Sequence, residues 1–331
     1  MITRILNDYL LVGGKNKPLY IESTKGNYDL VLPNKKLFET INWLCNYALP
    51  ASGYPGADML FFENSQGYHF NSLQTMFKSE PFANFYYNPK KLEYDNNRYI
   101  GLNQYIFNAL KFEIINYFDT LDALNKGTFS SRLISIDPLT RTKKTTDYSY
   151  DEFFKTTQSL NDAPITNNYK NRHGKYLYET PPGDMEYGSL RLTVTNSEQA
   201  STQYIKGVAP SQENSTKNNL FIENCMPYRL SQLGLANYTR IRITVPGNAQ
   251  IFVGTTLNFF VFGVSPVNKN SKKTEDPYLS GKYLVTAVRH VIRNLSYLTV
   301  VELCKDSNIA PFTGVNNEDV SWNSIVKGNQ T

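Results

Sequence analysis

Residues 281–292 (GKYLVTAVRHVI) and, past Arg293-Asn294, residues 295–304 (LSYLTVVELC) decide the fold. Tyr283, Val285 and Ala287 in the first run and Leu298, Val300 and Glu302 in the second recur at a period of two. That period marks paired strands, with Arg293-Asn294 as the hairpin turn. The first run is apolar in both phases, Leu284 with Val288 and Val285 with Ala287, which is more than a sheet with one wet face requires. We therefore expect this region to bury one face and to use its other face or its edges for subunit contacts.

The alternation extends outward. Ile241, Ile243 and Val245 alternate with Arg240, Arg242 and Thr244, and Pro246-Gly247-Asn248 reads as a type II turn. Residues 251–254 and 257–264 read as further strands, and four or more strands within 238–304 predict a compact antiparallel β-barrel or sandwich. Before it, a helix is expected over 219–235, where Pro227 can kink it. Residues 190–194 read as a strand between two polar stretches, 161–187 and 196–217, that read as loop. Residues 100–124 show helical spacing at Ile106, Phe107, Leu110, Ile114, Phe118, Leu121 and Leu124. Nearer the N-terminus, a strand is expected over 28–32 and a helix over 37–48, with Asn34 as its N-cap. Strands are expected over 59–63 and 68–70, joined by a turn in which Gly67 takes a positive φ, followed by a short helix over 72–77. Gly247 and Gly281 stand at strand boundaries and are expected to serve backbone geometry in the same way. The expected fold class is α+β. Residues 1–127 form a mixed helix and strand region, and 128–237 a strand, a long polar loop and a connecting helix. Residues 238–306 form the C-terminal barrel and 307–331 a loose tail.

The chain has 331 residues, 40% hydrophobic and 14% aromatic, which excludes a mainly disordered polypeptide. The best apolar run, 257–264, falls far short of the roughly 20 residues that span a bilayer, and residues 1–14 show no signal-peptide pattern, so no membrane partner is expected. The net charge of +5 is spread along the chain. Its densest basic cluster, Arg141-Thr142-Lys143-Lys144, lacks interleaved aromatics and reads as a solvated loop. Cys45, Cys225 and Cys304 lack metal or redox spacing and read as buried thiols. His69, His173 and His290 stand in no metal-ligating pattern, and neither a nucleophile elbow nor a Gly-rich phosphate loop occurs. His69 and His290 read as strand residues and His173 as a loop residue. Asp119 and Asp122 read as the wet face of the helix expected there. No catalytic, cofactor or metal site is expected, which disfavours an enzyme.

Two segments carry a resemblance. Residues 59–73 (MLFFENSQGYHFNSL) resemble a segment of the baseplate hub proteins of contractile-tailed bacteriophages. Val245-Pro246-Gly247-Asn248, Val253-Gly254, residues 279–290 (LSGKYLVTAVRH) and Tyr297-Leu298-Thr299 look like the closing β-domain of the same family. That fold is shared with type VI secretion spike proteins. The resemblance spans about residues 1 to 306. It implies a structural virion protein made in the host cytoplasm and located in the tail baseplate. Its implied partners are two further copies of itself, the tail tube protein, the central spike protein and other baseplate proteins. Phage DNA would pass through the channel without specific binding. Members of the family begin with an N-terminal β-barrel, whereas residues 1–11 here look helical, so the first barrel is expected to be missing, truncated or encoded separately. Within this reading Arg240, Arg242, Lys282 and Arg289 are candidates for lumen or subunit-interface positions, and exposed residues of an outer strand face are the alternative. A peripheral baseplate or tail protein, or a tail-associated cell-wall hydrolase, are the other functions weighed.

Overall fold

The computed structural model describes residues 2–11, 17–25, 32, 34–52, 56–87, 106–117, 119–137, 141–165, 189–194, 222–262 and 275–310. Its centre is a six-stranded curled sheet. The strands are β4 (Asn84–Tyr87), β5 (Lys111–Tyr117), β10 (Thr239–Pro246), β11 (Thr256–Val261), β12 (Gly281–Arg293) and β13 (Ser296–Lys305), in the order β4-β11-β12-β13-β10-β5. All pairs are antiparallel except β4 with β11.

The expected closed barrel is corrected to this curled sheet. Among the described residues, backbone bonds link its two edges at one place. The Tyr86 N–H donates to Phe107 O at 3.0 Å and the Ala109 N–H to Tyr86 O at 2.8 Å, after which the Leu110 N–H bonds Thr244 O at 2.7 Å. The chain thus crosses from β4 to β10 through a single parallel bridge, Tyr86 to Asn108. Nor do residues 238–306 make the sheet alone, since β4 and β5 come from earlier in the chain. The concave side holds the main core, in which Ile241, Ile243 and Val245 of β10 meet Phe85, Phe259, Tyr283, Val285, Val301 and Leu303. The alternation seen in the sequence is this inward and outward alternation.

The two apolar phases of β12 have a physical cause. A register shift between Val285 and Ala287 marks a β-bulge, so the core-facing residues run Tyr283, Val285 and then Val288. Before the bulge both faces of the strand are buried. Leu284 packs on the convex side with Cys304 against Leu73, Met76 and Phe77 of α3 (Leu73–Lys78) and against Leu160.

Residues 111–117, expected within a helix, are strand β5, and a short helix α4 (Thr120–Asn125) follows. Phe112 joins the core while Lys111 and Glu113 point away, and Ile114, Ile115 and the aromatic residues favour a strand over a helix. Residues 100–105 and 118 lie outside the described residues. Residues 251–254 form a turn instead of a strand; Ile251 still reaches the core, and Gly254 has φ +88 with Phe62 where its Cβ would stand.

Two smaller layers flank the sheet. In the first, β1 (Leu19–Ile21), β3 (Tyr68–Ser72) and β2 (Met59–Glu63) form a sheet against α1 (Ile2–Tyr9) and α2 (Leu37–Cys45), through Leu6, Ile41, Cys45, Met59 and Phe70. Ser72 caps α3 by accepting from the Thr75 N–H at 3.1 Å. The N-cap of α2 is Lys36, without a side-chain bond, and not Asn34. The second layer is β7-β6-β9, built from β6 (Ser130–Asp137), β7 (Thr142–Ser149) and β9 (Ser189–Val194), with α5 (Tyr150–Thr156) following β7. A two-stranded pair, β8 (Ala163–Pro164) with β14 (Ser307–Asn308), completes the strands. Lys143 and Lys144, expected in a loop, are on β7, and Arg141 occupies the turn before it at φ 55.

Helix α6 (Ile222–Tyr238) joins the layers and contains Pro227, as expected. Its Arg229 guanidinium donates to three carbonyls, Cys45 O at 3.3 Å, Ala57 O at 3.0 Å and Met59 O at 2.9 Å. All three cysteines are buried free thiols. The strand expected over 28–32, most of both polar stretches and His173 lie outside the described residues.

Candidate functional site

Among the candidate positions, the residues of the second sequence segment meet at the end of β10 and along the β12–β13 hairpin. The Gly247 N–H donates to Tyr297 O at 2.8 Å, and a Cβ on Gly247 would stand 2.0 Å from the Tyr297 ring. Its φ is not in the left-handed region, so the requirement there is space and not a positive φ. Asn248 and Thr299 clasp each other. The Asn248 N–H donates to Thr299 Oγ1 at 2.9 Å and the Asn248 side chain accepts from the Gln250 N–H at 2.9 Å, an Asx turn. His290 Nδ1 lies 3.1 Å from the Tyr297 hydroxyl and 3.3 Å from Thr299 Oγ1. A loop and a hairpin fifty residues apart in the chain are thereby locked together.

The other two turn glycines differ from each other. Gly281 has φ +133, and Asn161 fills the space beside it, bonding the Lys282 N–H at 2.9 Å and the Lys282 carbonyl at 3.1 Å. Gly67 is not in the left-handed region, which corrects its expected positive φ; the Pro18 carbonyl stands 2.4 Å from where its Cβ would be. The chain entering β1 can lie this close to the β2–β3 turn only without a side chain at that position.

Of the four basic candidates, Arg240 and Arg242 are brought together on the convex face. Arg240 Nη2 donates to Glu302 Oε2 at 3.0 Å, and Arg242 donates to Glu302 Oε1 from Nη2 at 2.6 Å and from Nε at 3.2 Å. Arg242 also lies 3.6 Å from Glu113, which pairs with Lys111. The result is a cross-strand row of alternating sign, Glu113, Arg242, Glu302, set by the register of β5, β10 and β13. Arg242 and then Arg240 hold the Glu302 carboxyl below its ordinary range, and Lys111 does the same chiefly for Glu113. Lys282 stands apart, its Nζ donating to Phe77 O in the last turn of α3 at 2.7 Å, and burial lowers its pKa. Arg289 is exposed beside Val300, one row from the ion pairs. The paired arginines are largely compensated by carboxylates, so the face is not a uniform basic strip.

The sequence reading passed over a buried polar group at the end of β13. Lys305 is fully buried, donates to Tyr278 O and to Ser280 O (3.2 Å), and lies 5.1 Å above the Tyr283 ring. Burial pushes its pKa down to about 7. Asp306, pushed up to about 6 by burial, accepts from the Leu160 N–H at 3.1 Å and the Ser307 hydroxyl at 2.8 Å. These bonds fasten Tyr278, Ser280 and Leu160 to the end of the sheet. The Val-Glu-Leu-Cys-Lys-Asp run at the end of the expected strand gives no warning of them, because the partners lie far away in the chain.

Asp119, Asp122 and His69 have local partners. A cleft of about 280 Å³ between α4, α6 and β5 is lined by Asp119, Asp122 and Lys126. Asp119 is the N-cap of α4, bonding the Asp122 N–H at 3.1 Å, and Asp122 pairs with Lys126 at 2.5 Å. The two aspartates are therefore not on one long helix as expected. His69 is stacked between Tyr20 (4.7 Å) and Phe62 (4.9 Å) and bonds Asn64 at 3.0 Å. Among the described residues, no three His, Cys, Asp or Glu side chains are grouped to hold a metal.

No family model and no curated protein matches the sequence. Solved structures similar to this chain include two tail proteins. One is the tail protein from Neisseria meningitidis MC58, at 9% identity and a TM-score of 0.45, covering 92% of this chain and 65% of that one. The other is the 43 kDa tail protein of prophage MuSo2 from Shewanella oneidensis, at 9% identity and a TM-score of 0.41, covering 92% and 63%. The chain thus spans slightly less than two thirds of each of these neighbours.

Proposed function

We propose that this chain is a structural subunit of a phage tail, and within the tail a baseplate hub that joins tube to spike and lines the DNA path. The observation that carries the proposal is the clasp of Gly247 and Asn248 on Tyr297 and Thr299, because it joins the separated residues by which the sequence resembles the hub family. In this reading the chain acts by assembling, without a catalytic step or cofactor. Three copies form a ring, with the open part of the convex face, around Arg242 and Glu302, at subunit or lumen contacts. Compensated arginines suit a wall that DNA passes without being held. Counting copies in the intact particle tests it. Three copies per tail are expected, whereas six or more would fit a peripheral baseplate protein and overturn the hub. Loss of turbidity from a peptidoglycan suspension treated with the purified chain would instead favour the hydrolase.

A further inference from the structure

The two edges of β12 are unequally covered. On one side β13 pairs with it from Leu284 with Cys304 to Arg293 with Ser296, with one shift at the bulge. On the other side β11 pairs only with residues 281–284, and the last bonds are those between Val285 and residues 254–255. From Thr286 to Arg293 no described strand bonds that edge. Alternate residues of a strand bond opposite neighbours. About half of these eight residues, none of them proline, therefore direct backbone donors and acceptors to the edge that no described strand covers, the template that an added strand completes.

Side chains give this edge a sign. Arg289 and Arg293, four residues apart, share one face with Val291 between them, and Val288 and Ile292 lie on the other. No acidic residue occurs from 286 to 293. Ile292 is 79% exposed, and Leu295 at the tip is fully exposed. Edges are blunted against pairing with their own copies by proline, by bulges and by charge. Proline is absent here, but the bulge at Val285/Ala287 and the charges of Arg289 and Arg293 are present, so pairing needs a partner of opposite sign. Glu113 and Glu302, the carboxylates of this row on the same face, are engaged by Lys111, Arg240 and Arg242.

We propose that the edge of β12 from Thr286 to Arg293 is a strand-addition site for an extended segment of another polypeptide. The segment carries two acidic side chains four residues apart, opposite Arg289 and Arg293, with an apolar residue between them opposite Val291. Backbone bonds hold the segment and the two arginines select it. The site goes beyond the hub reading and does not depend on it, since a peripheral protein could use it equally.

The probe is a labelled nine-residue peptide with two glutamates at that spacing among threonine and valine, added to the full chain and followed by fluorescence anisotropy. Saturable binding is expected, weakened by salt, with slower amide exchange at 286–293. A lysine-for-glutamate peptide should bind at least tenfold more weakly, and a peptide N-methylated at alternate amides should not bind. The double variant Arg289→Glu, Arg293→Glu, checked for an unchanged melting temperature, should reverse the preference. No binding of the glutamate peptide, equal binding of the lysine or N-methylated peptide, or exchange protection elsewhere than 286–293 would each overturn the proposal. Protection at 286–293 that rises with chain concentration alone would also overturn it, by showing that a second copy takes the edge.

Discussion

The root and the distal half of the β12–β13 hairpin belong to the same two strands, yet they meet opposite surroundings. At the root Tyr283, Leu284, Val285, Leu303 and Cys304 are all buried, with the core on one face and α3 on the other. Beyond the bulge, Ala287, Arg289, His290 and Ile292 are exposed, although the alternation of side chains is no less regular. Periodicity alone therefore identifies the strands, whereas coverage by neighbours decides what each half does. The root is enclosed on both faces, whereas the distal half is held on one face by the Gly247–Asn248 loop and leaves much of β12 exposed.

The largest test strikes the root. Leu284→Asp places a carboxylate between Cys304 and the α3 side chains, and should destabilise by on the order of 4 kcal/mol or more, leaving no cooperative thermal transition. A variant that melts like the parent would break the comparison. Gly281→Ala comes next, because φ +133 is strained for alanine and the new Cβ would meet Asn161 at 2.6 Å. A loss of about 1–3 kcal/mol is expected in chemical denaturation.

Lys305 sharpens the comparison through pH. Its pKa in the folded chain, about 7, is below the ordinary lysine value, with Asp276 and Asp306 opposing the larger effect of burial. Below pH 7 both states are protonated and the folded chain bears the cost of the buried charge. Between pH 7 and about 10 the unfolded chain binds the extra proton, so this group makes stability rise with pH across that window. Denaturation of the parent and of Lys305→Met at pH 7 and pH 9 should show this rise only in the parent. An equal dependence in both would remove Lys305 from the account.

The smallest effect is expected at the tip. Asn294 and Leu295 have φ 45 and 64, a turn in which Asn-Gly is the favourable pair. Leu295→Gly should stabilise the chain by about 1 kcal/mol, since the exposed leucine contributes no core contact and occupies a left-handed conformation. A destabilised variant would mean that the distal half also serves the fold.

These contrasts also explain what could be read in advance. Strands β2, β3, β10, β12 and β13 and helices α2, α3 and α6 were legible because their spacing and local punctuation agree with their burial. Strand β5 was not. Leu110, Ile114, Leu121 and Leu124 fall at helical spacing, but pairing with β10 overrides that local preference. The β6–β7 hairpin was missed because β7, TKKTTDYS, has hydroxyl and charged side chains where an apolar alternation would have signalled a strand. Within the candidate site, Arg240 and Arg242 were legible as outward residues. Their neutralisation by Glu302 depends on a register across sixty residues, and the need for Gly247 depends on a tyrosine ring fifty residues away.

The central claim is that the uncovered surface exists for assembly, and native mass measurement of the full chain, alone and with its tube and spike proteins, tests it most directly. With those partners present, a species containing three chains is expected, about 113 kDa from this protein at 37.8 kDa each. A chain that stays monomeric in their presence would contradict it.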